Sequence, residues 1–166
     1  IEAEAVALVE ADSSDQLPSF LLLAQSHWHH GVIGIVAARL VERYHRPAAL
    51  LAGDGEGLMR ASVRSPRGFA VDQALNHCAK LLERFGGHPA AGGFTVRAEN
   101  VHALHEQLCV QADSWLTKQG QGVPIQPDAL LRLEEVNWDL WKALQSLAPF
   151  GIGHEVPLFW SRGCSV

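Results

Sequence analysis

The chain has 166 residues, 48% of them hydrophobic and 19% charged, with 13 Lys and Arg against 18 Asp and Glu for a formal net charge of −5. That composition carries a sizeable core and excludes an intrinsically disordered chain, and the length suits one domain, or one domain plus part of a second. The negative balance also excludes a protein that wraps nucleic acid by bulk basicity, so an anionic ligand needs a local cluster of basic groups.

In chain order, residues 1–12 are acidic with interspersed alanines and read as the end of a connecting helix, closing by residue 17. The chain opens on Ile1 rather than Met, and we expect a segment of a longer polypeptide with a domain upstream. The apolar run Phe20 to Ala24 after Pro18 predicts a buried strand, and residues 25–31 a polar loop. Ile33, Val36, Ala37, Leu40, Val41 and Tyr44 fall on one helical face, and Pro47 stops that helix. Val32, Ile35 and Ala38 make its other face apolar too, which predicts burial of the first two turns on all sides. Residues 48–52 predict a second buried strand, residues 53–55 a turn, and Leu58 to Val63 a third strand hairpinned to the second.

Val71, Ala74, Leu75, Cys78, Leu82 and Phe85 have helical spacing and predict a second amphipathic helix, ended by Gly86 and Gly87. Phe94 to Val96 predicts a fourth strand. Asn100 is expected to cap a third helix with Val101, Leu104, Leu108, Ala112 and Trp115 on one side. Residues 119–127 are rich in Gln, Gly and Pro and read as a linker. Ala129 to Val136 predicts a strand with alternating Leu131 and Leu133, Asn137 a cap for a helix over 138–147, and residues 149–153 a turn. Leu158 to Trp160 begins another strand, and residues 161–166 read as a strand cut short. The expected fold class is α/β (α+β): a mixed central sheet with helices packed on it over residues 18–118, then a β-rich unit over 128–166. There is no internal repeat.

Cys78, Cys109 and Cys164 show no CxxC spacing, and the first two fall on apolar helix faces. They predict buried thiols in a reducing cytoplasm rather than disulfides or metal ligands. No run of 18 apolar residues and no signal peptide is present, so no membrane association is expected.

Three segments carry candidate chemistry. On a strand, Arg60, Ser62 and Arg64 share a face by the period of two, with Met59, Ala61 and Val63 on the other. Two guanidiniums flanking a hydroxyl make a compact phosphate clamp, which Ser65 and Arg67 can extend; the alternative is a solvated edge strand. In Arg84 to Phe94, small residues let backbone N–H groups approach an anion, and His88 can donate to a phosphate or base. The alternative there is a glycine cap followed by tight packing on a sheet. His27-Trp28-His29-His30-Gly31 precedes a helix N-terminus. Its readings are anion or base contact, with Trp28 stacking, or simple packing of Trp28 with surface histidines. The spacing is poor for metal, since no cysteine or carboxylate completes a set. Carboxylates are scattered singly, so the residues describe a phosphate-binding domain rather than a complete catalyst.

Trp28-His29 and Gly31 to Leu40, then Arg46-Pro47, Ser62 to Ser65 and Arg84 to His88, in this order, resemble the DHH-associated domain of RecJ-type exonucleases in the DHH phosphoesterase superfamily. Residues 149–155, with Pro157 and Phe159-Trp160, resemble the start of the OB-like domain that follows it there. The resemblance spans roughly residues 18–160. It implies a cytoplasmic 5′-to-3′ single-stranded-DNA exonuclease of repair and recombination, whose Mn2+ or Mg2+ ions sit in an upstream DHH domain. No catalytic residue and no metal ligand is then expected in this chain, which alone would be inactive. The implied partner is the 5′ end of single-stranded DNA, held by a monomer, with other repair proteins as further partners. Ser62 and Arg64 match the strand that grips phosphate; Gly86, Gly87 and His88 match the loop facing the metals; Trp28 and His29 belong to the first matching segment. Two departures are visible: Pro89 and Gly92 interrupt the family's run of alanines, and His30 occupies a position expected to vary. The alternatives are a DHH-family phosphoesterase for short oligonucleotides or cyclic dinucleotides, and a non-catalytic binding module.

Overall fold

The computed structural model describes residues 1–11, 17–53, 55–119, 127–151 and 154–163. Two compact units divide the chain, Ile1–Gly120 and Gln121–Val166. Most of the expected linker, the end of the expected last strand, Asp54 of the first turn, Ile152 and Gly153 of the later turn, and Cys164 lie outside the described residues.

The first unit runs α1 (Glu2–Ala11), β1 (Leu21–Gln25), α2 (His30–Tyr44), β2 (Ala48–Gly53), β3 (Leu58–Arg64), α3 (Val71–His77), β4 (Leu82–His88), β5 (Ala91–Arg97) and α4 (Val101–Gln119). Its five strands form one sheet in the order β1-β2-β3-β5-β4. Only β1 and β2 are parallel, joined by the α2 crossover; the rest pair antiparallel. This is the expected mixed sheet with helices on it.

The strand period of two divides the core between the faces. Ala49, Leu51, Ala61, Val63, Phe94 and Val96 point to α3 and α4, where they meet Leu75, Leu104 and Leu108. Leu21, Ala48, Leu50 and Ala52 point the other way, to α1 and α2, and meet Ala5, Val9, Ile33, Val36 and Leu40. All five residues from Ala48 to Ala52 are buried, because β2 is covered on both sides.

Four expectations need correction. The helix expected from Val71 to Phe85 ends at His77; a 3-10 turn follows, and Leu82 to His88 is strand. The cause is a bulge: Leu82 pairs with Val96 and Arg84 with Thr95, leaving Glu83 as an extra residue. Leu82 and Phe85 thereby share a face at a spacing of three, which imitates a helix in the sequence. Gly86 and Gly87 are accordingly strand residues, not a helix cap and not a loop.

Second, α4 continues from a 3-10 turn over Ala98–Asn100 instead of starting at an Asn100 cap. Third, the first turns of α2 are not buried on all sides: Val32 is 39% and Ile35 60% exposed. Fourth, the strand expected over 129–136 is two residues of β6 (Ala129–Leu130) followed by a 3-10 turn over Leu133–Glu135.

The second unit contains β6, α5 (Trp138–Ser146) and β7 (Phe159–Trp160), with β6 and β7 parallel. Asn137 caps α5 as expected, its Oδ1 accepting from the Asp139 and Leu140 N–H groups at 3.0 Å each. Among the described residues no helix is long and apolar enough to cross a membrane.

Candidate nucleic-acid interface

The pairing register assembles the candidate residues on one face. Arg60, Ser62 and Arg64 lie opposite Ala52, Leu50 and Ala48 of β2, and so share the α2 face of the sheet. On the other side of β3 the register continues through β5 into β4. One row reads Arg64, Ala91, His88; the next Ser62, Gly93, Gly86; the third Arg60, Thr95, Arg84. The central strand contributes only small residues, and the flanking strands contribute three guanidiniums, a hydroxyl and an imidazole. With neighbouring strands about 4.8 Å apart, the two rims stand about 10 Å from each other across a floor of Ala91, Gly93 and Thr95. The result is a shallow basic trough in a net acidic chain.

Its walls are built differently. The α2 helix packs on β2 and β3 and rises beside the first rim. Gly34 faces that rim closely: a Cβ there would lie 3.1 Å from Arg64 Nη2 and 3.5 Å from Ser62 Oγ. Arg64 is half-buried, and its Nη1 donates to the Val63 carbonyl at 2.8 Å, which steers the guanidinium along the strand. The second rim, β4, is the sheet edge, and Arg84, Gly86 and His88 are exposed on it. Among the described residues, Ser62, Arg84 and His88 have no side-chain hydrogen-bond or ion-pair partner. At the trough's end Arg97 Nε donates to Glu83 Oε1 at 2.7 Å, so the bulge carboxylate is neutralised by a neighbour.

The glycines of the hairpin divide into two kinds. A Cβ on Gly87 would lie 2.5 Å from the Ala91 carbonyl oxygen and from Gly92 Cα, so the close backbone crossing requires glycine. A Cβ on Gly92 would lie 2.8 Å from Val71 Cγ1, where α3 presses on β5. On Gly86 a Cβ would meet nothing within 4 Å. Nothing in the fold calls for glycine there, and the bare backbone lies open at the middle of the rim.

Four candidate residues, Ser65, Trp28, His29 and Arg67, stand elsewhere. The Ser65 hydroxyl points to the Phe69 carbonyl at 3.0 Å and the Pro89 carbonyl at 3.1 Å, and the Ser65 N–H donates to the Ala90 carbonyl. Its single proton is thus spent tying down the β4–β5 turn, and a phosphate would find no donor there. Trp28 is 3% exposed and packs between α1 and α2. Packing, not base stacking, accounts for it. His29 is exposed and caps α2, its Nδ1 accepting from the Gly31 N–H at 3.1 Å. The turn carrying Arg67 follows β3 and lies outside the three rows.

Local sequence places Arg84 inside the glycine–histidine segment without assigning it a role, and does not single out Thr95. The bulge at Glu83 hides which face Arg84 takes, and only the β3–β5–β4 register reveals it. Among the described residues no group of three or more His, Cys, Asp or Glu can hold a metal ion. The trough offers donors and positive charge, which suit an anion and not a divalent cation.

Comparison with known proteins identifies relatives of both units of the chain. Residues 17–112 match the DHHA1 domain family and residues 127–166 the RecJ OB domain. The single-stranded-DNA-specific exonuclease RecJ of Bacillus subtilis is 38% identical over 156 residues, covering 93% of this chain and 20% of that protein. The protein of the same description from Escherichia coli is 30% identical, covering 96% of this chain and 29% of its own length. The chain thus spans a fifth to under a third of the curated relatives it matches. The crystal structure of RecJ with Mn2+ from Thermus thermophilus superimposes with a TM-score of 0.74 at 27% identity, over 96% of this chain and 23% of that one. The Mg2+ complex from the same organism gives 0.73 at 28% identity.

Proposed function

This chain belongs to the DHHA1 domain family, and on that premise we propose that it is the substrate-holding portion of a RecJ-type 5′-to-3′ single-stranded-DNA exonuclease. The trough carries this reading: Arg60, Ser62 and Arg64 on one rim and Arg84, Gly86 and His88 on the other, above a floor without side-chain bulk. A terminal phosphate or phosphodiester spans such a floor. It takes planar forks from the arginines, O–H and N–H donors from Ser62 and His88, and close van der Waals contact with the Gly86 backbone.

In the whole enzyme, Mn2+ or Mg2+ would polarise the scissile phosphate and supply the attacking water. Among the described residues no group of three or more His, Cys, Asp or Glu fits such an ion, and the contribution we assign to this chain is to bind and orient the strand. The match of residues 127–166 to the RecJ OB domain favours this reading over a phosphoesterase of short oligonucleotides or cyclic dinucleotides. A monomer acting in the cytoplasm on repair and recombination intermediates completes the proposal.

The test is a titration of the chain with single-stranded oligonucleotides, with and without a 5′-phosphate, at several salt concentrations. We expect weak, salt-sensitive binding that favours the phosphorylated strand, and no hydrolysis with Mn2+. Hydrolysis by the chain alone would overturn the assignment of chemistry to residues outside it.

A further inference from the structure

One polar contact outside the trough leads into it. Trp28 belongs to the buried apolar cluster that also holds Ala5, Val9, Ile33, Val36 and Ala37, whose side chains cannot accept its indole N–H. Glu4 of α1 accepts it: Nε1 donates to Oε2 at 2.8 Å, and His27 Nε2 lies 3.2 Å from Oε1. The Trp28 hydrogen bond holds the Glu4 carboxyl below the usual carboxylate range, against a smaller opposing effect of burial and with further help from His27.

The next residue, His29, caps α2 through its ring, and its carbonyl accepts from the Val32 and Ile33 N–H groups at 3.0 and 3.3 Å. One turn on, Gly34 rests against Ser62 and Arg64. The other α1 glutamates bind farther along α2, Glu2 to Arg39 and Glu10 to Arg43 and Tyr44. Glu4 alone among them reaches the turn where α2 begins.

We propose that Glu4 and Trp28 form a positioning pair that fixes the start of α2, and through it the seat of Gly34 against Ser62 and Arg64, so that α1 governs how well the trough fits a phosphate. The proposal rests on the phosphate-binding reading of the trough. Neither residue touches the ligand; both act through the His29 cap and Gly34. A helix that leads into the unit thereby sets the shape of its binding face.

The test uses the full 166-residue chain and three variants: Glu4→Ala, Glu4→Gln, which keeps an acceptor oxygen, and Trp28→Phe, which keeps the ring and loses the N–H. The first readout needs no ligand. Hydrogen exchange at the Val32 and Ile33 amides should quicken about tenfold in Glu4→Ala and Trp28→Phe while the amides of β2 and β3 stay protected. Glu4→Gln should exchange like the parent. The second readout is the ratio of Kd values for unphosphorylated and 5′-phosphorylated strands. General loss of stability scales both alike, whereas a displaced α2 lowers the ratio; we expect a fall of about fivefold in Glu4→Ala and Trp28→Phe, with recovery in Glu4→Gln. Unchanged exchange, exchange that quickens across the whole sheet, or a preserved ratio overturns the positioning role. A parent chain without phosphate preference defeats the reading of the trough, and the exchange readout then decides the Glu4–Trp28 pair by itself.

Discussion

The two faces of the five-stranded sheet are built from the same strands and do opposite work. The face toward α3 and α4 is closed, and Phe94, Val96, Leu104 and Leu108 are each at most 4% exposed. The face toward α2 is covered over β1, β2 and part of β3, where α2 packs. From β3 outward, small and basic residues replace large apolar ones, and the backbone of Gly86 lies open. Alternate residues of β3 thus point to opposite faces: Ala61 and Val63 hold the strand down, while Arg60, Ser62 and Arg64, to which we assign phosphate binding, lie on the α2 side. In the proposed reading, the part of this face left uncovered toward β5 and β4 is the binding surface, and the closed face opposite makes that exposure tolerable.

Substitutions on the two faces should therefore separate stability from binding. The largest expected effect is on the closed face: Leu108→Ala should cost about 2–5 kcal/mol of unfolding free energy by chemical denaturation. Where the chain remains folded, its preference for phosphorylated strands should persist. Gly87→Ala forces a Cβ to within 2.5 Å of backbone and should likewise lower the denaturation midpoint. On the open face, Arg64→Ala should leave the denaturation midpoint nearly unchanged, weaken binding of 5′-phosphorylated strands about tenfold, and flatten the salt dependence by about one phosphate contact. An unchanged salt slope would remove Arg64 from the clamp.

Gly86→Ala refines the contrast with Gly87. The fold leaves room for its methyl group, so stability should hold while binding falls about threefold to tenfold, because only an outside ligand needs the space. A methyl group tolerated in both respects would take the middle of the rim out of the interface.

The smallest effect concerns pH. The Trp28 N–H depresses the folded-state pKa of Glu4, so its stabilising contribution is present above the ordinary carboxylate range and is lost as pH falls through the depressed value. Between these limits the stability of the parent should decline on acidification. The Glu4→Gln chain, which cannot titrate there, should show a shallower decline.

Much of the first unit is legible from periodicity. The continuous apolar run at Ala48 to Ala52 marks a strand covered on both faces, and the alternation from Met59 to Arg64 marks one with an apolar and a polar face, so the period of two by itself groups Arg60, Ser62 and Arg64. The spacing from Ile33 to Leu40 likewise announces α2. The region from Val71 to His88 resists. A bulge at Glu83 places Leu82 and Phe85 on one side at a helical interval, and local spacing cannot tell that from a continuing helix.

By itself, then, the sequence determined the alternation of helices and strands as far as β3, the basic face of β3 and the family resemblance, because each is written in neighbouring residues. Tertiary structure alone decided that Arg84, Gly86 and His88 stand opposite that face, that Ser65 and Trp28 do not join them, and that Glu4 holds Trp28. Those outcomes depend on strand register and on contacts between residues far apart in the chain, which are fixed only when the sheet pairs and the helices close on it.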